Sequence, residues 1–368
     1  VFLPGRKNST GVDFSDRDVV ATLQKTLADS MPFAWSAAPI LANKQTNNTE
    51  SHATVSPQQP ELVIGQVTEA TSDDIEWALS QAKLAFESWG RTAVKERSAC
   101  LERFAVLLED NLPTFLSMAC LEAGKTAGDA VAEVREAVDF CRYYAAQADK
   151  IMSHPVRLHG YTGELNELSL HPRGVVLCIS PWNFPLAIFA GQVLAALVTG
   201  NCVIAKPATQ TPLIAHFAVT LMLKAGIPAG VMQLLPGRGS TVGAALIADK
   251  RINAVIFTGS TETAALINQT LATRGGEIVP FIAETGGQNA MIVDSSALLE
   301  QVVVDVVTSA FGSAGQRCSA LRVLYVQEEV YPRVIDLLKG AMAQMKVGDP
   351  RWLATDVGPV IDPAALNN

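Results

Sequence analysis

From residue 72 to about residue 148 apolar side chains recur at steps of three and four. Ile75, Leu79, Ala82 and Phe86 form one set, and Leu101, Phe104, Leu107 and Leu108 another, with Gly124 and Gly128 punctuating the next stretch. That spacing predicts amphipathic helices. Residues 1–60 are polar and broken by Asn47-Asn48-Thr49 and by Pro57 to Pro60, and read as an irregular, linker-like segment. Residues 151–171 alternate in type and predict a hairpin. A different rhythm then sets in. Strands are expected at 175–179, 202–205, 231–235 and 254–257, separated by helices at 186–198, 212–225 and 242–248 and followed by one at 261–271. Two more strands (279–284, 290–293), a helix (297–310), a strand (322–326) and a helix (331–345) follow. Short apolar strands alternating with helices define an α/β protein whose parallel sheet is covered on both faces.

Composition narrows this picture. A chain of 368 residues has room for two or three domains. With 49% apolar and 17% charged residues it can bury a large core. A net charge of −8, with no run of five like charges, disfavours nucleic-acid binding. The six cysteines lack any Cys-x-x-Cys pair, and the five histidines stand at no metal-ligand spacing from them. Neither a metal site nor a disulfide framework is expected, and a reducing, cytoplasmic compartment fits. Residues 174–205 contain no charge and are long enough to span a bilayer. Pro181, Asn183, Pro185, Gln192, Gly200 and Asn201 break the run into strand, loop, helix and strand. It reads as core, so no transmembrane segment is expected.

Candidate chemistry sits where loops leave the carboxyl ends of the strands, the place where such sheets bind ligands. Pro181-Trp182-Asn183-Phe184-Pro185 follows the first strand and Lys206-Pro207-Ala208 the second. Pro236-Gly237-Arg238-Gly239 and Thr258-Gly259-Ser260 follow the next two. Glycines ahead of a helix let backbone N–H groups approach a phosphate. Any one of these loops could be an ordinary turn, and Val242 breaks the usual dinucleotide fingerprint. Four together favour a nucleotide site. Glu284 ends a strand, with Thr285, Gly286 and Gly287 behind it. Cys318 follows the small-residue run Gly312-Ser313-Ala314-Gly315, whereas Cys100, Cys120, Cys141, Cys178 and Cys202 lie among apolar neighbours. A nucleophilic thiol with a separate carboxylate suits chemistry that forms and then hydrolyses an acyl intermediate.

Together these segments, with Gly315-Gln316-Arg317-Cys318, resemble the aldehyde dehydrogenase superfamily from about residue 60 onward. The 34-residue separation of Glu284 and Cys318 agrees with that family's spacing. The stretches 179–189, 234–239 and 313–322 resemble more narrowly its Δ1-pyrroline-5-carboxylate dehydrogenases, of the kind joined to a proline dehydrogenase. Residues 5–11 resemble the linker between those halves. The resemblance implies a Rossmann-type nucleotide domain at 61–283, carrying a dimerisation hairpin at 151–171, and the first part of a catalytic α/β domain at 284–368. It implies NAD-dependent oxidation of L-glutamate γ-semialdehyde to glutamate. In that reaction Cys318 is the nucleophile, Asn183 with the Cys318 N–H holds the oxyanion, and Glu284 activates water. Cofactor contacts are implied for Ile179, Ser180, Pro181, Trp182, Lys206, Pro207, Gly239, Gly243, Phe257, Thr258, Gly259, Ser260, Thr285 and Gly286.

It further implies a homodimer, an upstream proline dehydrogenase domain, and a longer parent free to associate peripherally with a membrane. No FAD is expected in this segment. Two positions depart from the family pattern. Thr209 replaces an acid that holds the adenosine ribose, which opens the way to NADP, and Gln288 replaces a lysine. Family members contribute further substrate- and ribose-holding residues beyond this stretch. The chain is therefore expected to be an excised middle that turns over poorly alone. An aldehyde dehydrogenase of another substrate class, a cysteine-dependent acyl transferase or hydrolase, and a non-catalytic nucleotide-binding scaffold are the rival readings.

Overall fold

The computed structural model describes residues 5–29 and 35–367. Residues 1–4 and 30–34 of the linker-like segment lie outside the described residues. The rest of that segment is more ordered than its polarity suggests. Helix α1 (Arg17–Asp29) opens where the Asp16 carboxylate accepts the N–H groups of Asp18 and Val19, and it buries Leu23 and Leu27. It packs on α4 (Leu112–Ala123), and the Gln24 side chain joins Arg351 O and Leu353 N. Strand β1 (Trp35–Ala37) runs parallel to β3 (Val63–Val67), which also pairs antiparallel with β2 (His52–Val55). Beyond β1 the chain bonds at Ile40 to Leu234, on the outer edge of the main sheet.

Helices α2 (Ser72–Trp89), α3 (Val94–Asp110) and α5 (Ala127–Met152) complete the N-terminal helical layer with α4. Helix α2 starts on a reciprocal cap in which Thr71 and Asp74 each satisfy the other's backbone N–H. The expected hairpin forms from β4 (Val156–Leu158) and β5 (Asn166–Leu168). Val156, Leu158, Leu165 and Leu168 are exposed on it, and Tyr161 is 87% exposed.

The main sheet is fully parallel. It contains β6 (Val175–Ile179), β7 (Cys202–Lys206), β8 (Met232–Leu234), β9 (Ile252–Thr258) and β10 (Phe281–Glu284), in the order β10-β9-β6-β7-β8. Every residue of β6 and β7 is buried, the signature of a strand covered on both sides. The uncharged run 174–205 is thus β6, α6 (Ala187–Val198) and β7. Among the described residues no single helix is long and apolar enough to cross a membrane.

The chain winds outward from β6 through α6, β7 and α7 (Pro212–Lys224) to β8. It then returns through α8 (Ala244–Ala248) to β9 on the other side of β6, and through α9 (Thr261–Thr273) to β10. Right-handed crossovers require α8 and α9 to lie on the face opposite α6 and α7. The order reverses between β6 and β9, so the loops after these two strands diverge and leave a crevice.

The strand expected at 290–293 does not extend this sheet. As β11 (Asn289–Val293) it pairs, in parallel, only with β12 (Leu321–Val326). Helices α10 (Leu299–Phe311) and α11 (Tyr331–Gln344) cover one side of that pair. Their separate small core holds Val293, Leu299, Val303, Val306, Val334 and Leu338.

Candidate active site

The crevice is built from strand ends that neighbouring helices pin in place. Gln192 of α6 donates from Nε2 to Ile179 O and to Thr258 Oγ1, at 3.3 and 2.9 Å, bridging the ends of β6 and β9 where the order reverses. Its role was invisible in the sequence, where it stands out only as a polar interruption of an apolar run. Thr258 pairs with Glu284 across β9 and β10, and Gly259 N–H donates to Glu284 O. Glu284 therefore emerges beside the Thr258-Gly259-Ser260 loop, with its side chain exposed. Ser260 caps α9 by accepting the Thr263 N–H, and Phe257 is buried beneath the loop. Thr285 and Gly286 continue directly from Glu284.

On the other side of β6, Ser180 N–H donates to Lys206 O. Lys206 is buried, and its ammonium donates to Pro207 O at 2.7 Å and Gly237 O at 3.2 Å. Burial pulls its pKa down to about 8. At Gly237 the backbone has φ 154°, and an added Cβ would stand 2.4 Å from Val242. This turn leads into one π-helical turn, Gly239–Gly243, that runs on into α8. Gly239, Ser240 and Thr241 are exposed at its start. A helix start with open backbone, beside a buried ammonium, fits the phosphates and ribose hydroxyls of a dinucleotide. Pro181 and Trp182, both half-buried, follow directly on the end of β6.

Asn183 joins this crevice to the cysteine loop. Its Nδ2 donates to Gln316 O at 2.8 Å, two residues before Cys318, and leaves its second N–H free for another acceptor. The loop is held from behind by Lys125, which donates to Asn183 O at 2.8 Å, pairs with Glu133 at 2.7 Å and lies 4.0 Å from the Phe184 ring centroid. Glu133 Oε1 accepts the N–H groups of Leu186 and Ala187 at the start of α6. Lys125 and Glu133 were missed in the sequence, because nothing local marks a contact that spans more than fifty residues.

Cys318 follows a tight turn in which Ser313, Ala314 and Gly315 all take left-handed backbone angles, with φ of 53°, 56° and 70°. Asn289 Nδ2 donates to Cys318 O at 2.7 Å, and Gln316 is tied to Pro359 O and Ile361 N. Cys318 is exposed, whereas the other five cysteines are buried. Burial pushes the thiols of Cys120 and Cys202 up to about 12 and those of Cys100, Cys141 and Cys178 upward as well. Those five are inert packing residues; Cys318 is the thiol a reagent can reach. Among the described residues neither its sulfur nor the Glu284 carboxylate has a side-chain hydrogen bond. The structure thus joins Asn183 directly to the cysteine loop and sets Glu284 on the neighbouring strand end, and among the described residues no hydrogen bond links Glu284 to Cys318.

The parallel sheet thus sets an exposed carboxylate at one strand end, and an accessible thiol on a loop that is tied to the Asn183 amide. The chain belongs to the aldehyde dehydrogenase family, which it matches over residues 44–368. It is 50% identical to the bifunctional protein PutA of Klebsiella aerogenes over 99% of its own length and 27% of that protein. It is 38% identical to the 1-pyrroline-5-carboxylate dehydrogenase of Geobacillus thermodenitrificans, over 97% of the chain and 69% of that enzyme. The solved structure of a Thermus 1-pyrroline-5-carboxylate dehydrogenase with bound NAD superimposes with a TM-score of 0.92 at 31% identity, covering 97% of this chain and 70% of that one. The chain thus spans about a quarter of the length of its PutA relatives.

Proposed function

We propose that this chain carries the cofactor site and the nucleophile of an NAD-dependent dehydrogenase that oxidises L-glutamate γ-semialdehyde, the open form of Δ1-pyrroline-5-carboxylate, to glutamate. The observation that carries the reading is the Asn183 Nδ2 to Gln316 O bond, which seats an amide donor beside the loop bearing the one exposed thiol. Cys318 Sγ attacks the aldehyde carbon. The remaining Asn183 N–H and the Cys318 N–H donate to the oxygen as it gains charge, and losing one such donor typically slows a reaction about 10²–10³-fold. Bound NAD supplies the hydride acceptor. The thioester left on Cys318 is opened by a water from which exposed Glu284 takes a proton. Lys206 and the Gly239–Gly243 turn hold the cofactor's ribose and phosphates, while Ile179, Trp182, Phe257 and Gly286 border it.

The relatives named as 1-pyrroline-5-carboxylate dehydrogenases support the substrate, and the bifunctional ones support an associated proline dehydrogenase activity. Thr209 brings no carboxylate against a 2′-phosphate, which supports use of NADP as a second cofactor. The apolar, exposed β4–β5 hairpin supports a homodimer, checked by light scattering. The deciding experiment follows NADH or NADPH absorbance in the full-length parent protein, with the semialdehyde and with propionaldehyde. Formation of NADH with the semialdehyde, lost in Cys318→Ala, is the expected result. Equal rates on propionaldehyde would overturn the substrate, and no cofactor reduction by the wild type would overturn the dehydrogenase reading.

A further inference from the structure

The Asn183 loop and the Cys318 loop come from segments more than a hundred residues apart, yet both are anchored on one turn of α5. Asp129 and Glu133 stand four residues apart there, on the same face and about 6 Å along the axis. Glu133 grips the Asn183 side through the N–H groups of Leu186 and Ala187 and through Lys125. Asp129 grips the cysteine side. Its Oδ2 accepts Ser313 N–H at 3.0 Å, and its Oδ1 accepts the Arg317 guanidinium. Arg317 is the neighbour of Cys318, and its guanidinium sits 5.9 Å from the centroid of Phe184, the neighbour of Asn183.

Ser313 and Ala314 are not glycines, so their left-handed angles persist only where surroundings impose them. The Asp129 carboxylate, bound to the first N–H of that turn and to the Arg317 side chain just after it, holds the turn, together with the hydrogen bonds from Arg317 Nε to Ser313 Oγ, from Gln316 Nε2 to Ser313 O and from Arg322 to Gly315 O.

We propose that Asp129 is a positioning residue: through Ser313 N–H and Arg317 it sets where Cys318 stands relative to Asn183. Helix α5 then acts as a rigid gauge between nucleophile and oxyanion donor. This rests on the reading of Cys318 as the nucleophile.

The test compares Asp129→Asn, Arg317→Gln and the double variant in the full-length protein. Asparagine can still accept Ser313 N–H but no longer pairs with a guanidinium. Both single variants are expected to lower kcat roughly ten- to a hundredfold, as a displacement near 1 Å would. KM for NAD and the melting temperature are expected to stay unchanged. The double variant should be no slower than the slower single one, because both remove the same tie. Amide hydrogen exchange should quicken at Gln316, whose N–H closes the turn on Ser313 O, in Asp129→Asn while α5 stays protected. Multiplying effects in the double variant, or wild-type kcat and exchange in a folded Asp129→Asn, would overturn the proposal. If Asp129→Asn does not fold, Arg317→Gln, altered at a partly exposed side chain, carries the same kcat and exchange tests. A wild type that reduces no cofactor would instead defeat the functional reading, and the exchange result would still decide the role of Asp129.

Discussion

The two parallel sheets of this molecule are built on the same βαβ logic and end in opposite states. In the five-stranded sheet β6 and β7 are buried at every residue. In the two-stranded sheet β11 alternates, with Met291 and Val293 toward α10 and α11 while Ala290 and Ile292 face outward. Ile292 is 82% exposed and Tyr325 on β12 is 59% exposed. Helices on both faces make a strand a continuous apolar run; one covered face restores a period of two. The contrast also divides the chemistry. The cofactor crevice is on the heavily packed sheet, and Cys318 is on the lightly packed unit, drawn to the first by a few polar ties.

The sharpest division between the two is Cys318→Ala. It should abolish cofactor reduction, by about a thousandfold or more, while shifting stability by no more than about 0.5 kcal/mol, since an exposed side chain packs against little. Thermal melting alongside NADH absorbance checks both halves. Next comes Leu177→Ala in β6, fully buried, which should destabilise by about 2–5 kcal/mol in urea titration, whereas Ile292→Ser should stay within about 0.5 kcal/mol. Comparable values for the pair would erase the distinction drawn above.

A smaller effect concerns Lys206. Its ammonium is present below about pH 8 and is lost above it, so NAD binding should hold steady below that point. Above it, affinity should weaken toward about tenfold per pH unit, and Lys206→Met should remove the pH dependence. Fluorescence titration of NAD across pH 6.5–9.5, about the range that brackets this value, reads it.

A pH-dependent effect on stability is expected at Glu122, buried under the start of α7, where its carboxylate oxygens accept the N–H groups of Leu213 and Ile214. Burial raises its pKa from 4.5 to about 8. The folded state therefore keeps a proton that the unfolded chain releases, and its contribution to stability declines as pH rises from about 4.5 through 8. Glu122→Gln should flatten that part of the stability profile and change little below about pH 4.5, as urea titrations across that range would read.

Legibility in the sequence followed the same divide. The strands of the main sheet stood out because a short, continuous apolar run between glycines fits little except a strand covered on both faces, and β6, β7 and β9 fall where expected. The loops carrying Asn183, Lys206 and Glu284 followed from those strands. Helix α1 escaped because Leu23 and Leu27 are its only buried anchors, and β2 because three of its four residues are exposed. The strand at 290–293 could be read, but not its sheet, since pairing is a non-local choice. Lys125, Asp129, Glu133 and Gln192 were illegible for one reason. Each acts through a partner distant in sequence, and a lysine, an acid or an amide on a helix is otherwise ordinary.

The contact between Gln24 and residues 351 and 353 sets a timetable. The bonded groups are 327 and 329 positions apart. At synthesis rates of about 5–20 residues per second, roughly 15 to 65 s pass between the emergence of one and of the other. During that interval α1 can rest on α4, but its outer side has nothing to close on. Helix α1 is thus locked long after it is made. A growing chain leaves that side open to proteases and holdases until residues 351–353 emerge, and a stall shortly before residue 351 would leave it so.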